Sequence, residues 1–124
     1  MVTGQPERPV DQLFHLAERA AWEEAKVSGW YDRSTRGRTL AEEGFIHCAR
    51  PHQVRGVAER YYGDLDDLVL LVVDAAQLTV PVRYEAAAPG GEEFPHVYGP
   101  IPVSAVLHAV LVARDAAGRL VLPE

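Results

Sequence analysis

The sequence has little that would suit it to an oxidising compartment, a membrane or a nucleic-acid partner. It has 1 cysteine in 124 residues, so it cannot form an internal disulfide, and we expect a reducing, cytoplasmic compartment. Its 12 Lys and Arg are outnumbered by 18 Asp and Glu, and a net charge of -6 disfavours binding to phosphate backbones. No apolar run reaches membrane-spanning length and no signal-peptide pattern opens the chain, so no membrane association is expected.

The sequence also lacks the motifs that mark metal sites and phosphate-binding loops. It contains no H-E-x-x-H and no C-x-x-C pattern, and zinc needs three or four convergent ligands. No glycine-rich phosphate loop is present, which leaves a P-loop or a dinucleotide-binding Rossmann motif without support. We therefore expect neither a metal site nor a Rossmann-type cofactor site.

Length and hydrophobic patterning predict one small α+β domain. A chain of 124 residues can enclose a single hydrophobic core, and 48% of its residues are apolar. Residues 1–10, with Gly4, Pro6 and Pro9, are predicted to form a flexible N-terminal arm, and residues 11–124 a single domain. Early helices followed mostly by strands are typical of the α+β class.

Helical periodicity appears in two segments. The first is Glu18–Ser28, which Gly29 would end; the second begins at Pro51, has apolar residues on one face, and would end at Gly63. The polar segment Asp32–Glu43 is predicted to be a loop or to contain a short helix near its end. The predicted strands are Gln12–Leu16, Phe45–Ala49, Leu68–Val73, Val80–Glu85, Val106–Ala113 and Arg119–Leu122.

Two histidines, His15 and His47, lie inside predicted strands among apolar neighbours. A histidine in such a setting is often a buried group that hydrogen-bonds within the core, so a structural role stands beside a functional one for each. Strand alternation places Phe45 and His47 on one face and Cys48 on the other. Cys48 is therefore interpreted as a core residue and not as a nucleophile that uses His47 as its base.

The segment Phe94–Pro100 has a different composition, because proline, glycine and aromatic residues crowd into it. We predict a loop of fixed shape, and rigid loops often carry binding sites. In an extended segment His96 and Tyr98 project to the same side, and we weigh function and structure equally there. Glu85 is either a solvated carboxylate or a group that binds a sugar hydroxyl or stabilises a developing cation.

The two remaining histidines have weaker functional signals. His52 lies in the first turn of the second predicted helix, and cations are favoured at the opposite end of a helix. His52 is therefore expected to be neutral and exposed. His108 alternates with valines and leucines in a predicted strand and is interpreted as structural.

Taken together, these motifs resemble the DUF952 family of small bacterial proteins. The resemblance runs from about Leu13 to Val112, and the pair Gly-Phe-Ile-His-Cys and Phe-Pro-His-x-Tyr-Gly is its most specific part. On these motifs the chain is identified as a member of the family, which brings no established activity. The segments that carry the resemblance are Leu13–Leu16, Trp22-x2-Ala25-x3-Gly29-x-Tyr31, Glu43–Ala49, Val82–Glu85 and Phe94–Pro100.

A more distant similarity implies a ligand. His15 in a first strand, then a helix, a glycine and the Ile46–His47 strand, is similar to the NAD-binding lobe of RNA 2′-phosphotransferases. These enzymes have the ADP-ribosyltransferase-like fold, which implies a central, mostly antiparallel, split β-sheet with two main helices. The similarity implies NAD or ADP-ribose as the ligand, with catalytic roles for His15, which would hold ribose hydroxyls, and for His47 and Glu85. The implied ligand-binding residues are Tyr31 or Tyr98 for the nicotinamide ring, Arg33, Arg36 and Arg38 for pyrophosphate, and also His52 and His96.

Three functions remain open at this point. An enzyme that breaks the nicotinamide–ribose bond would form an oxocarbenium-like centre, and Glu85 would stabilise its charge. A binding module would recognise a small nucleotide-like or acidic ligand without turnover. A structural or interaction protein would use its histidines only to support the core. We expect a monomer or a weak homodimer.

Overall fold

The computed structural model describes residues 12–35, 38–62, 67–86 and 88–122. The predicted N-terminal arm, Arg36, and the predicted helix end at Gly63 lie outside these residues. The strands in chain order are β1 (Gln12–Glu18), β2 (Trp30–Tyr31), β3 (Arg33–Thr35), β4 (Arg38–Thr39), β5 (Ile46–His47), β6 (Leu68–Asp74), β7 (Val82–Ala86), β8 (Glu93–Val97), β9 (Ile101–Pro102), β10 (Val106–Arg114) and β11 (Leu120–Val121). The helices are α1 (Arg19–Ser28), α2 (Leu40–Glu43) and α3 (Val54–Tyr61), and short 3₁₀ helices span Ala75–Gln77 and Val103–Ala105.

All strand pairs within the described ranges are antiparallel, and they form two main sheets. One sheet has the order β1-β6-β10-β11 and the other the order β5-β8-β7, while β2 pairs with β9 and β3 with β4. Phe14 and Ala49 exchange two backbone hydrogen bonds of 2.7 Å, which join β1 to the segment after β5. The result is a small single domain with a curled antiparallel sheet and three helices, as the α+β prediction requires.

Strand β6 is the centre of the core, because all seven of its residues are buried. On one face, Leu71 belongs to the same core cluster as Trp22 of α1 and Ile46 of β5. On the other face, Leu70 shares a cluster with Val57 of α3. Full burial of such side chains contributes about 1.5–3 kcal/mol each to folding. The continuous apolar pattern of this segment correctly predicted a strand buried on both faces.

The two longer helices differ in how well their predicted starts and ends agree with the structure. Helix α1 ends at Gly29 as predicted, where a φ of 91° places the residue in the left-handed region that favours glycine. The prediction that Pro51 opens the second helix is wrong, because α3 begins only at Val54. Gln53 closes a turn first: its backbone N–H donates to the Arg50 carbonyl at 2.8 Å, and its side-chain Oε1 accepts the Arg50 N–H at 2.9 Å. No helix in the described part of the chain is long and apolar enough to span a membrane.

The prediction of a loop at Phe94–Pro100 is also wrong, because its first residues belong to strand β8 in the middle of the three-stranded sheet. A proline is tolerated there because β5 is only two residues long and pairs with His96 and Val97. Beyond that pairing, Pro95 contributes only its carbonyl, which accepts the Cys48 N–H at 2.9 Å. The missing N–H of Pro95 therefore costs little, although proline usually argues against a central strand.

Replacing Gly99 by alanine should destabilise the fold. A Cβ atom at this position would overlap Val80 Cγ1 and lie 2.9 Å from Val80 Cβ. Val80 cannot easily move away, because the neighbouring Pro81 carbonyl accepts a hydrogen bond from the Tyr98 N–H. Gly99→Ala should lower the free energy of unfolding by about 1–3 kcal/mol. The control is Gly56→Ala in α3, where no atom lies within 4 Å of the added Cβ. This substitution should raise the free energy of unfolding by about 0.5–1 kcal/mol. Urea unfolding followed by circular dichroism measures both, and shifts of the same sign would contradict the prediction.

Candidate functional site

The outward face of the three-stranded sheet brings several candidate residues together. Cross-strand partners share a face, and so do residues two apart on one strand. The register pairs His47 with His96, His96 with Arg83, and Phe94 with Glu85. Alternate residues therefore form one surface, which we call the histidine–aromatic face: Phe45, His47, Arg83, Glu85, Phe94, His96 and Tyr98. The other side of the same sheet faces the core.

Glu85 is the polar centre of this face. Its Oε1 accepts a hydrogen bond from the Tyr98 hydroxyl at 2.6 Å and lies 2.7 Å from His96 Nδ1. The bond from Tyr98, followed by the one from His96, lowers the pKa of the Glu85 carboxyl below its ordinary value. The carboxylate is therefore ionised at neutral pH and accepts from an Nδ1–H of His96. In neutral His96 that arrangement leaves Nε2 without a proton.

Ring contacts hold the histidines in place. Phe45 stacks on His96 with ring centroids 4.0 Å apart and planes 16° apart. The rings of His47 and His96 are 5.0 Å apart, and Phe94 lies 5.5 Å from His47. Burial lowers the pKa of His47, the neighbouring His96 lowers it further, and Glu43 acts in the opposite direction. His47 is therefore a neutral group at the surface of a packed ring cluster.

Several polar atoms of the histidine–aromatic face have no protein partner. Ser34 Oγ is the only fully buried side-chain nitrogen or oxygen in the described ranges that lacks a hydrogen bond. The ring nitrogens of His47, Nε2 of His96 and Oε2 of Glu85 also have no hydrogen-bond partner among the described residues, so none of these atoms is fully buried. The Arg83 guanidinium lies 5.2 Å from the centre of the Tyr98 ring. The face thus offers acceptors, a cation and planar rings to a ligand.

His15 lies behind this face, in the core, where it is only 2% exposed. A carbonyl can only accept, so His15 Nδ1–H donates to the His47 carbonyl at 2.7 Å. Nε2 then accepts from the Tyr31 hydroxyl at 2.9 Å. Burial lowers the pKa of His15 to about 4, and it raises the pKa of Tyr31. His15 is therefore a neutral residue with both ring nitrogens engaged, and it connects β1 to β5 and β2.

Two of the three predicted arginine ligands, Arg33 and Arg38, are already paired with carboxylates. Arg33 contacts Glu24 at 2.9 Å, and Arg38 contacts Glu43 at 2.6 Å. Both pairs are on the surface near the β3–β4 hairpin. His52 is exposed in the turn before α3.

The structure therefore brings four of the ten candidate residues together on one face, and one of the ten, Arg36, lies outside the described residues. These four are His47, Glu85, His96 and Tyr98, while Tyr31 and His15 lie buried behind it. Arg83 and Phe94 were missed as site residues, although their two-residue spacing from Glu85 and His96 was a signal for them. Cys48 is buried, and burial raises its pKa to about 12, which confirms the core interpretation. Among the residues that the structure describes, no three His, Cys, Asp or Glu side chains could hold a metal ion.

Fold and face define a small α+β domain whose outward sheet surface carries two histidines and a carboxylate among aromatic rings. The family described as "Protein of unknown function (DUF952)" matches residues 16–109, and this chain belongs to that family. The resemblance seen in the sequence motifs is thereby confirmed.

Solved structures of one bacterial protein are similar to this chain. The crystal structure of protein CC0527 from Caulobacter crescentus superposes with a TM-score of 0.77 at 32% identity, covering 90% of this chain and 94% of that chain. Its solution NMR structure gives a TM-score of 0.70 at 33% identity, with coverages of 88% and 90%. No curated protein matches this chain.

Removing the Tyr31 hydroxyl should destabilise the protein. Tyr31→Phe leaves Nε2 of buried His15 without its donor, and an orphaned buried acceptor costs about 1–3 kcal/mol. Tyr84→Phe is the matched control, because Tyr84 is 38% exposed. This substitution should change the free energy of unfolding by less than about 0.5 kcal/mol. Urea denaturation of both variants provides the comparison. Equal stabilities would contradict the assigned hydrogen bond.

The protein should lose stability as the pH falls from about 6.5 towards 4. Folded His15 has a pKa of about 4, below the ordinary 6.5, so the unfolded chain binds protons more readily across this window. Its contribution is present above pH 6.5 and is lost on acidification, by about 2 kcal/mol between pH 7 and pH 5. His47 acts in the same direction because its pKa is also lowered.

Urea unfolding at pH 7 and pH 5 tests this pH dependence. In His15→Gln the loss should be smaller, whereas His108→Gln, at an exposed position of β10, should keep the wild-type dependence. The explanation fails if wild type and His15→Gln lose stability equally on acidification.

Proposed function

We propose that the histidine–aromatic face binds a small nucleotide-like ligand, with NAD and ADP-ribose as the candidates. The observation that supports the proposal is that unpaired acceptors, a cation and planar rings all project from one sheet face. Nucleotides combine the matching groups: a flat base, ribose hydroxyls and a phosphate. Stacking of a base on an aromatic side chain contributes about 1–3 kcal/mol.

Each part of such a ligand has a partner of suitable chemistry. Oε2 of Glu85 can accept a hydrogen bond from one ribose hydroxyl, and a ring nitrogen of His47 can form a hydrogen bond with a second hydroxyl. The guanidinium of Arg83 suits a phosphate, because charged and directional donors bind phosphate oxygens strongly. Phe94, beside His47, packs partly against the core cluster that contains Val57, and the exposed part of its ring offers a stacking surface.

The remaining candidate residues take supporting roles in this proposal. Arg33 and Arg38 would reach a pyrophosphate only by leaving Glu24 and Glu43. Such exposed ion pairs contribute only about 0–1 kcal/mol, so the exchange would cost little. Tyr31 would act indirectly, through His15. The ligand-binding role of His52 stays a prediction.

Transfer of ADP-ribose is the finer proposal, and the ionised state of Glu85 favours it. Breaking the nicotinamide–ribose bond leaves positive charge on the ribose, and a fixed carboxylate lowers the energy of that state. Glu85 meets the requirement because two hydrogen bonds hold its orientation and keep its pKa low. The similarity of the sequence to proteins with the ADP-ribosyltransferase-like fold is a second reason for proposing this reaction. The competing possibility is a binding module with the same face and no turnover.

A thermal-shift and calorimetric screen with NAD, ADP-ribose and nicotinamide tests the binding proposal. Ligand at a hundredfold excess over its Kd should stabilise the protein by about 2.7 kcal/mol. Arg83→Gln and His47→Ala should weaken binding tenfold or more while the fold is retained. The control His108→Ala removes an exposed histidine on β10 and should bind as wild type does. If none of the three compounds binds, the proposal is wrong.

Release of nicotinamide from NAD separates the enzyme from the binding module. Chromatography of the reaction mixture measures it directly. Glu85→Gln should bind ADP-ribose yet release nicotinamide at least a hundredfold more slowly, because the charge of the carboxylate is gone. Binding by wild type with no release of nicotinamide would identify a binding module.

A further inference from the structure

The bond between Glu85 and His96 points to a proton-transfer role that goes further than ligand binding. We propose that His96 is a general base, oriented by Glu85, that takes the proton from a water or alcohol hydroxyl as its oxygen attacks the ligand. The inference rests on the proposed function, since it requires a nucleotide-like ligand on the histidine–aromatic face. It assigns a catalytic role to His96, a residue for which the sequence suggested only ligand binding.

The orientation of His96 is what a base in this position needs. Its Nδ1 lies 2.7 Å from Glu85 Oε1, and because the carboxylate accepts, the ring proton sits on Nδ1. In the neutral ring Nε2 is then a bare acceptor, and it is not fully buried although the residue as a whole is only 8% exposed. A carboxylate that fixes the tautomer and stabilises the imidazolium is the arrangement that activates nucleophiles in hydrolytic enzymes.

Two neighbours keep this pair in place. The Phe45 ring lies against the His96 ring at 4.0 Å and nearly parallel to it, which limits rotation of the imidazole. The Tyr98 hydroxyl donates to the same oxygen of Glu85 at 2.6 Å and limits movement of the carboxylate. The pair is therefore organised before any ligand binds, and preorganised groups need no rearrangement at the moment of reaction.

His47 is less suited to act as the base. Its ring nitrogens have no protein partner, so no carboxylate selects its tautomer or stabilises its protonated form. Burial and the nearby His96 both lower its pKa, which favours the neutral state. We assign His47 to hydrogen bonding with the ligand, beside the base.

The proposed step conserves atoms and charge. The hydroxyl oxygen of water or an alcohol bonds to ribose C1′ of NAD, and its proton moves to His96 Nε2. The bond from C1′ to the pyridine nitrogen breaks, and its electron pair leaves with neutral nicotinamide. His96, now a cation beside the Glu85 carboxylate, releases the proton to solvent. Water as the acceptor yields ADP-ribose, and an alcohol yields the corresponding O-glycoside of ADP-ribose.

The test compares His96→Asn with His108→Asn in the full-length protein. Asparagine can still donate to Glu85 but has no second ring nitrogen to act as a base. His96→Asn should bind ADP-ribose within about threefold of wild type and release nicotinamide from NAD 10²–10⁴-fold more slowly, the usual range for loss of a general base. His108→Asn, the same change on an exposed part of β10, should not alter either quantity. Added imidazole should restore part of the lost rate in His96→Ala.

The outcomes separate this inference from the proposed function. If wild type binds ADP-ribose but His96→Asn keeps its rate of nicotinamide release, or if wild type releases none with water or methanol present, the base assignment is overturned and ligand binding stands. If nothing binds, both are overturned. Free ADP-ribose or its methyl derivative among the products identifies the acceptor, and either supports the inference.

A measurement on the unliganded protein keeps the idea testable even if the variants do not fold. Long-range ¹H–¹⁵N correlation spectra of the wild-type histidine rings report which nitrogen carries the proton. In its neutral form, His96 should carry the proton on Nδ1, which faces Glu85. An Nε2–H form would overturn the assignment, because the nitrogen facing solvent would then be unable to accept a proton.

Discussion

The hydrogen bonds of one buried histidine hold the histidine–aromatic face in position. His15 on β1 donates to the backbone carbonyl of His47 and accepts from the hydroxyl of Tyr31 on β2. Strand β5 is only two residues long, so its own ladder with β8 is too short to place it firmly. The bond from His15 and the exchange between Phe14 and Ala49 supply the missing constraints. The position of β5 determines the direction in which Phe45 and His47 project, and it therefore determines the shape of the histidine–aromatic face.

The alternation of side chains along β5 lets one short strand contribute both to the core and to the histidine–aromatic face. Ile46 and Cys48 enter the core beneath α1, while Phe45 and His47, the alternate residues, remain on the outside. Strand β8 repeats this alternation: Val97 packs in the core, and His96 lies on the opposite side of the strand, where Phe45 covers its ring and leaves the residue 8% exposed. Substitutions on the outer face should therefore affect ligands more than folding. His15 is different because it lies on the inner side and supports the outer one.

Sequence patterns predicted the elements whose local periodicity is strong. Strands β1, β6 and β10 and helix α1 were predictable from runs of apolar residues and from Gly29, and two-residue alternation placed His96 and Tyr98 on one side. Strand β8 was not, because Pro95 is tolerated only where β5 ends, a feature of the tertiary structure. The role of His15 depends on Tyr31, 16 residues away, and no local pattern shows that contact. The pairing of Arg38 with Glu43 likewise became visible only once the structure placed the two residues.

The charges of the face bear on which nucleotides it suits. Arg83 and ionised Glu85 are neighbours on β7 and nearly cancel, and His47 is held neutral by burial. A polyanion would meet the Glu85 carboxylate without an excess of cations to offset it, so mononucleotide triphosphates are poor candidates. NAD carries a cationic pyridine ring at one end and an anionic pyrophosphate in the middle. With NAD as the proposed ligand, Glu85 would attract the ring while Arg83 would bind a phosphate, and release of nicotinamide would remove the cation from the carboxylate just when His96 would become protonated. One carboxylate would then stabilise first the ligand's positive charge and afterwards the imidazolium.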